Sequence, residues 1–192
     1  MSRRKVNFVQ DHYYHCYNRG ANKEPIFRTD DNYIFLLGRI RKYSQKFNIS
    51  IIAYCLMPNH YHFLLRQDSS LSISDFLQAV FNSYTKAFNK ANNRRGTLFE
   101  ERFKAINIDK DSYLLHLCRY IHRNPLDAGL VIQLDDWQYS NYLEWIGKRN
   151  GTLVDCEFVN EQFGTLEEYE LFVMDYPPPK EIDQAMGSYY LD

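Results

Sequence analysis

The order of elements along the chain predicts an α+β fold: one antiparallel sheet with helices packed on one face, followed by a C-terminal helical extension. Three observations carry this. Strand-like runs and stretches of helical spacing follow one another as strand, helix, strand, strand, helix, strand, helix. Two strands are separated only by Met57-Pro58-Asn59, so short a break that they must be neighbours in one sheet. The 192 residues, 45% hydrophobic and 16% aromatic, are enough for one domain that folds in water. No apolar run approaches the ~20 residues a bilayer span needs, and Met1-Ser2-Arg3-Arg4-Lys5-Val6 leads into no secretory stretch. The expectation is a cytoplasmic protein that does not engage a membrane.

Each element has its own warrant. The aromatic run His12–Tyr17 reads as a strand, ended by the loop Asn18-Arg19-Gly20-Ala21-Asn22. Asp30-Asp31 can cap a helix through Lys46, with Ile34, Leu37 and Ile40 repeating at helical spacing. Ile49–Leu56 is a strand apolar on both faces, and His60–Arg66 is its partner. Ser72, or Ser74-Asp75, begins a helix that stops near Asn92-Asn93, before Gly96. Residues 101–108 alternate as a half-buried strand does. Asp109 or Asp111 then caps a helix to Arg123, which Asn124-Pro125 ends because proline disfavours helix at the residue before it. Trp137-Gln138-Tyr139-Ser140 leads to a short helix ending at Gly147, and the periodicity of residues 158–172 gives one or two more. Pro177-Pro178-Pro179 marks a stiff terminal extension.

A formal net charge of −1 hides an asymmetry. Residues 150–192 carry ten acidic side chains against Lys180, for −9, which leaves +8 on the first 149 residues. A basic body is the electrostatic footprint of a polyanion binder, although basic residues spread so widely also describe an ordinary solvated surface. The four cysteines, Cys16, Cys55, Cys118 and Cys156, have neither zinc-ribbon nor disulfide-scaffold spacing and read as reduced, buried thiols.

Two constellations could do chemistry. His60 and His62, at i and i+2 on a strand, project from one side with Tyr61 behind them. They are either half of a metal site or a pair of surface histidines. On the helix that follows residue 111, Tyr113, Leu114, Leu117, Cys118 and Ile121 form an apolar stripe, while His116, Tyr120 and Asn124 stack at i, i+4 on another face. A phenol and a carboxamide one turn apart can serve as oxygen nucleophile and metal ligand; alternatively the tyrosine packs on the sheet and the asparagine caps a helix end.

The segments Met57–Leu65 and, some sixty residues on, Arg119–Val131 resemble the single-tyrosine HUH (IS200-like) transposases, and among them most nearly the REP-associated tyrosine transposases. Supporting matches are His15–Gly20, Gly96–Lys104 and Trp137–Tyr142, so the resemblance covers about residues 8–147 as one domain, with 150–192 as an acidic C-terminal extension outside it. It implies a ferredoxin-like sheet, Tyr120 as nucleophile, and a divalent cation, Mg²⁺ or Mn²⁺, held by His60, His62 and Asn124. The aromatic Tyr61 between the histidines, where the family carries an aliphatic residue, is a mild departure.

The chemistry so implied is cutting of single-stranded or hairpin DNA through a 5′-phosphotyrosine link that a free 3′-hydroxyl can later attack, without ATP. His116, one turn before Tyr120, is a candidate for proton transfer, a role read from its position. Arg19, Lys86, Lys90, Arg94 and Arg95, with Lys23 and Arg28, could track phosphates, as could Arg119 and Arg123 flanking the tyrosine. Phe88 and Phe99 could stack bases or sit in the core. The acidic extension could fold back on the basic body. The rival readings are a catalytically inactive nucleic-acid-binding protein on the same fold and an RNA-binding or RNA-cleaving protein. A monomer and a homodimer are both compatible with the sequence.

Overall fold

The computed structural model describes residues 6–153, 155–178 and 180–187. Four strands, β1 (Tyr13–Arg19), β2 (Ile49–Met57), β3 (His60–Gln67) and β4 (Lys104–Ile108), form one antiparallel sheet in the order β2-β3-β1-β4. With α1 (Asp30–Phe47) after β1 and α2 (Ile73–Ala91) after β3, this is the ferredoxin-like βαββαβ arrangement. The strands alternate, so each apolar run supplies two cores. Tyr14, Cys16, Tyr54, Leu56, Tyr61, Phe63 and Leu65 pack against α1 and α2 on one face. Cys55, Met57 and Leu64 point the other way.

That second face is covered too. Leu114, Leu117, Cys118 and Ile121 of α3 (Asp111–Asp127) cross it, joined by Tyr142 and Trp145 of α4 (Tyr142–Trp145). Phe158 and Val159 of α5 (Cys156–Gln162) and Tyr169 and Val173 of α6 (Leu166–Met174) complete the layer. The acidic segment is therefore packed onto the sheet over most of its described length. Its start is tied to β2 and β3: the Asp155 carboxylate caps α5 by accepting from the Phe158 N–H and also meets Arg66 at 3.0 Å. A capping box of Thr165 and Glu168 opens α6.

Several details depart from the sequence expectation. The buried stripe of α1 is Tyr33, Leu36, Ile40 and Ser44, whereas Ile34 is 63% exposed, so the helical phase differs from the one the aliphatic residues suggest. The residue before α1 is Thr29, and Asp30 and Asp31 occupy its first turn. Strand β4 begins at Lys104, after an irregular 101–103. Pro177 and Pro178 precede a further helix, α7 (Lys180–Met186); Pro179 lies outside the described residues. Cys16, Cys55 and Cys118 are free and buried, as expected, while the side chain of Cys156 also lies outside the described residues.

The correction that bears on function concerns α3, which does not stop at Asn124. It runs through Pro125 to Asp127. The stop comes from Gly129 at φ +66, with the Leu130 N–H donating to the Pro125 carbonyl and the Gly129 N–H to that of Leu126, a Schellman closure. Proline within the last turn removes one backbone donor without breaking a helix about to end. Asn124 thereby stays helical and aligned with Tyr120 one turn earlier.

A polar hub sets how α3 sits on the sheet. Strand β2 shifts register between Ile51 and Ala53, and Asn141 bridges the irregularity: its Nδ2 donates to the Ile52 carbonyl at 2.8 Å and its Oδ1 accepts from the Tyr54 N–H at 2.6 Å. The same Oδ1 meets His122 Nε2 at 2.9 Å, and His122 Nδ1 meets the Tyr169 hydroxyl at 2.5 Å. Burial lowers the His122 pKa from 6.5 to about 4, with the Asn141 bond opposing in part. Because the unfolded chain takes this proton near pH 6.5 and the folded chain only near pH 4, stability falls as pH drops through that window. His122 alone contributes a loss of about 3 kcal/mol. Urea titrations between pH 7 and pH 4 are expected to show the decline, and a His122→Gln chain, though less stable at pH 7, should show a correspondingly shallower one.

Candidate active site

The topology brings one end of the sheet and one end of two helices together. Strand β1 runs toward Arg19, which lies opposite His60 on β3, and Tyr17 lies opposite His62. Strand β4 runs away from that end, so α3 returns toward it and carries Tyr120 and Asn124 with it. The end of α2 and the loop after it arrive at the same place, where the Glu100 N–H donates to the Arg19 carbonyl and the Ala21 N–H to that of Leu98.

Strand parity separates the three side chains of the His-Tyr-His run. Tyr61, 1% exposed, stacks on Phe81 at 4.3 Å between ring centres, under α2. His60 and His62 face α3, their rings 5.1 Å apart and nearly perpendicular. The Tyr120 ring stands edge-on to His62 at 5.3 Å and to His15 at 6.4 Å. Asn124 Nδ2 donates to the Tyr120 carbonyl at 2.8 Å, and its carboxamide lies beside the His60 ring, where it partly offsets the lowering of that ring's pKa by burial. His60, His62, Tyr120 and Asn124 thus converge within a single chain.

Each imidazole has a neighbour on its Nδ1. The Asn59 side chain meets His60 Nδ1 at 2.7 Å through Oδ1, while its Nδ2 donates to the Lys23 carbonyl at 3.2 Å. With the Asn59 amide so oriented, Oδ1 can only accept, so His60 carries its proton on Nδ1 and keeps a lone pair on Nε2. His62 Nδ1 lies 3.0 Å from Nε2 of His15, a fully buried ring on β1. His62 Nε2 and His15 Nδ1 are buried with no hydrogen-bond partner among the described residues. Desolvation lowers the pKa of His60 to about 4 and of His15 to about 3, and takes His62 well below its ordinary 6.5, so all three rings are neutral at pH 7.

Two neutral imidazoles and a carboxamide could hold a divalent cation and leave positions for phosphate and water; the carboxamide oxygen suits Mg²⁺ or Mn²⁺, and the imidazole nitrogens tilt the choice from Mg²⁺ towards Mn²⁺. The orphaned Nε2 of His62 fits that use, because a buried nitrogen without a partner is destabilising until something occupies it. Among the described residues no group of three or more His, Cys, Asp or Glu could hold a metal ion, so a cation here would depend on Asn124.

The remaining expected residues divide. Lys86, Lys90 and Arg95 are exposed at the end of α2 and in the loop beyond. Arg94 is half-buried and donates to Asn89 Oδ1 and the Thr97 carbonyl. Arg19 pairs with Glu100 at 3.1 Å, beside His60. Phe88 is a core residue, covered by Arg28, while Phe99 is half-buried. Arg119 and Arg123 do not fit the expectation of phosphate contacts. They are 2% and 8% exposed, and Arg119 Nη1 donates to the carbonyls of Phe172 and Asp175 while Arg123 Nη1 donates to that of Val173. Their guanidinium planes lie over Phe172 and Tyr176, so they anchor the C-terminal helices to α3. His116 accepts from Arg119 at Nδ1 and packs against Phe172, with its pKa lowered by burial.

Two residues of this site, His15 and Asn59, carry no assigned role in the sequence reading. Asn59 adjoins His60 and could have been weighed as its partner. His15 could be found only by placing β1 beside β3, since it is 47 residues from His62.

Comparison with known proteins bears on the fold and the family. A relative from Haemophilus influenzae, named "Putative REP-associated tyrosine transposase", is 29% identical over 101 residues, which are 47% of this chain and 57% of that one. The match thus spans little more than half of that relative's length. A solved structure of a REP-associated tyrosine transposase bound to a REP hairpin superimposes with a TM-score of 0.64 at 19% identity, over 81% of this chain and 94% of that one, a likeness of fold. The family model described as "Transposase IS200 like" matches residues 8–124, from before β1 to Asn124, and the chain therefore belongs to the family of IS200-like transposases.

Proposed function

We propose that this chain is a metal-dependent DNA strand transferase that nicks and rejoins single-stranded or hairpin DNA, with Tyr120 as its nucleophile. The observation that carries the reading is the edge-on approach of the Tyr120 ring to His62 at 5.3 Å within one chain. In the reaction the Tyr120 oxygen forms a bond to phosphorus and the bond from phosphorus to the 3′-oxygen breaks. This leaves a 5′-phosphotyrosine and a 3′-hydroxyl, and the reverse attack by a 3′-hydroxyl rejoins strands and releases the tyrosine. Because one phosphoester replaces another, no nucleotide cofactor is consumed.

His60, His62 and Asn124 are the residues that would hold Mg²⁺ or Mn²⁺; bound there, the cation would polarise a non-bridging phosphate oxygen and stabilise the departing 3′-oxygen. Asn124 also holds the helix turn beneath the nucleophile through its bond to the Tyr120 carbonyl. His116 is the group proposed to take the phenolic proton, at Nε2, since Arg119 engages Nδ1. Lys86, Lys90, Arg94, Arg95 and Arg19 are the proposed phosphate contacts, at the sheet end where the strand would enter. The hairpin in the related solved structure supports hairpin DNA as the substrate form.

Labelled hairpin DNA incubated with the chain and Mn²⁺ is expected to give a covalent adduct on a denaturing gel. Tyr120→Phe should abolish the adduct while leaving hairpin affinity nearly unchanged, and His60→Ala should abolish the Mn²⁺-dependent adduct. An adduct that survives in Tyr120→Phe overturns the assignment, and a wild-type chain that binds hairpins without ever forming one is the inactive binder. Separately, Lys86→Ala and Lys90→Ala should each flatten the dependence of log affinity on log salt by roughly 0.7 to 1. A double variant with the wild-type slope removes these lysines from the interface.

A further inference from the structure

We infer that His15 is a positioning residue: by accepting a hydrogen bond from His62 Nδ1 it supports the tautomer in which His62 Nε2 presents a lone pair to a cation. This rests on the proposed metal site and extends it to a residue outside the ligand set. His15 Nε2 lies 3.0 Å from His62 Nδ1, the ring planes are 17° from parallel with centres 5.2 Å apart, and both side chains are fully buried. One proton must lie between the two nitrogens. If it sits on His15, then His62 carries its own hydrogen on Nε2 and has nothing to offer a cation. If it sits on His62 Nδ1, then Nε2 presents a lone pair and His15 accepts.

Without a cation both arrangements leave the same two atoms unpartnered, His62 Nε2 and His15 Nδ1. A bound cation breaks the tie. It satisfies His62 Nε2 only in the second arrangement, leaving His15 Nδ1 as the single orphan. Both rings are neutral in either arrangement, so the choice is one of tautomer and not of charge. His60 has the matching device in Asn59, whose amide orientation is itself fixed by the Lys23 carbonyl. Each candidate ligand is thus met at Nδ1 by one side chain, and ligating histidines are commonly oriented through their second nitrogen in this way. Tyr17, stacked on His15 at 4.8 Å and on His62 at 5.9 Å, keeps the two rings in plane.

The test measures Mn²⁺ affinity of the full chain by electron paramagnetic resonance, without DNA. His15→Leu removes the acceptor, and His15→Gln restores an acceptor oxygen. His15→Leu is expected to weaken Mn²⁺ binding about 10- to 100-fold, with His15→Gln recovering part of the loss and both chains keeping the wild-type circular dichroism. In parallel, long-range ¹H–¹⁵N spectra of the wild-type chain with a diamagnetic cation, Mg²⁺, should show His62 protonated at Nδ1. A folded His15→Leu chain with wild-type Mn²⁺ affinity overturns the inference, as does a His62 proton on Nε2 in the Mg²⁺-bound wild type. If His15→Leu does not fold, the spectra alone decide. Failure of the wild-type chain to bind Mn²⁺ at all overturns the metal reading itself, a result distinct from normal binding that is indifferent to His15.

Discussion

The rotational setting of α3 on the sheet is the constraint on which the rest depends. A helix presents a different residue to a given neighbour every 100°, so a turn of that size would carry the Tyr120 phenol away from the imidazoles. Three kinds of contact hold the setting. An apolar stripe of Leu114, Leu117, Cys118 and Ile121 lies against the sheet. The buried His122 is gripped between Asn141 and Tyr169. On the flank, Arg119 and Arg123 grasp the C-terminal segment. The apolar stripe favours burial without fixing direction; the hydrogen bonds are directional and destabilising if left unmade, and so they choose one rotation.

The site then follows from two periodicities meeting. Side chains alternate along β3, which sends His60 and His62 to the α3 face and Tyr61 into the opposite core. They recur every fourth residue along α3, which aligns Tyr120 with Asn124. Both relations were legible in the residues themselves, because each is local and depends only on the type of element. The α+β layer was legible for a similar reason, from the alternation of elements and one very short break; its ferredoxin-like order was implied by the resemblance of the motifs to a known family.

What was not legible depended on partners distant in sequence. The helical phase of α1 was misjudged because Ile34 looks like a core residue until Tyr33 is seen to be the one that buries, stacked on Phe27 and Tyr139. Pro125 looked like a terminator, although a glycine four residues on performs that task through carbonyls that no local pattern announces. Arg119 and Arg123 looked like phosphate contacts since nothing in a sequence says what covers a helix flank. His15 was passed over because its partner belongs to a strand that only the assembled sheet brings alongside.

The manner in which Arg119 and Arg123 hold the C-terminal helices has an evolutionary consequence. The recognised groups are main-chain oxygens of Phe172, Val173 and Asp175, which every amino acid possesses. Exchanges of side chain at those three positions leave the main-chain acceptors in place, but Val173 is also buried in the core and the Phe172 ring lies under Arg119, so only the hydrogen-bonding part of the clamp is indifferent to sequence. Loss of the segment is another matter, for it would strand two cations on the flank of the helix that bears the nucleophile. Of the three positions, the exposed Asp175 is the one whose side chain can change without a further cost, while the segment as a whole cannot be discarded.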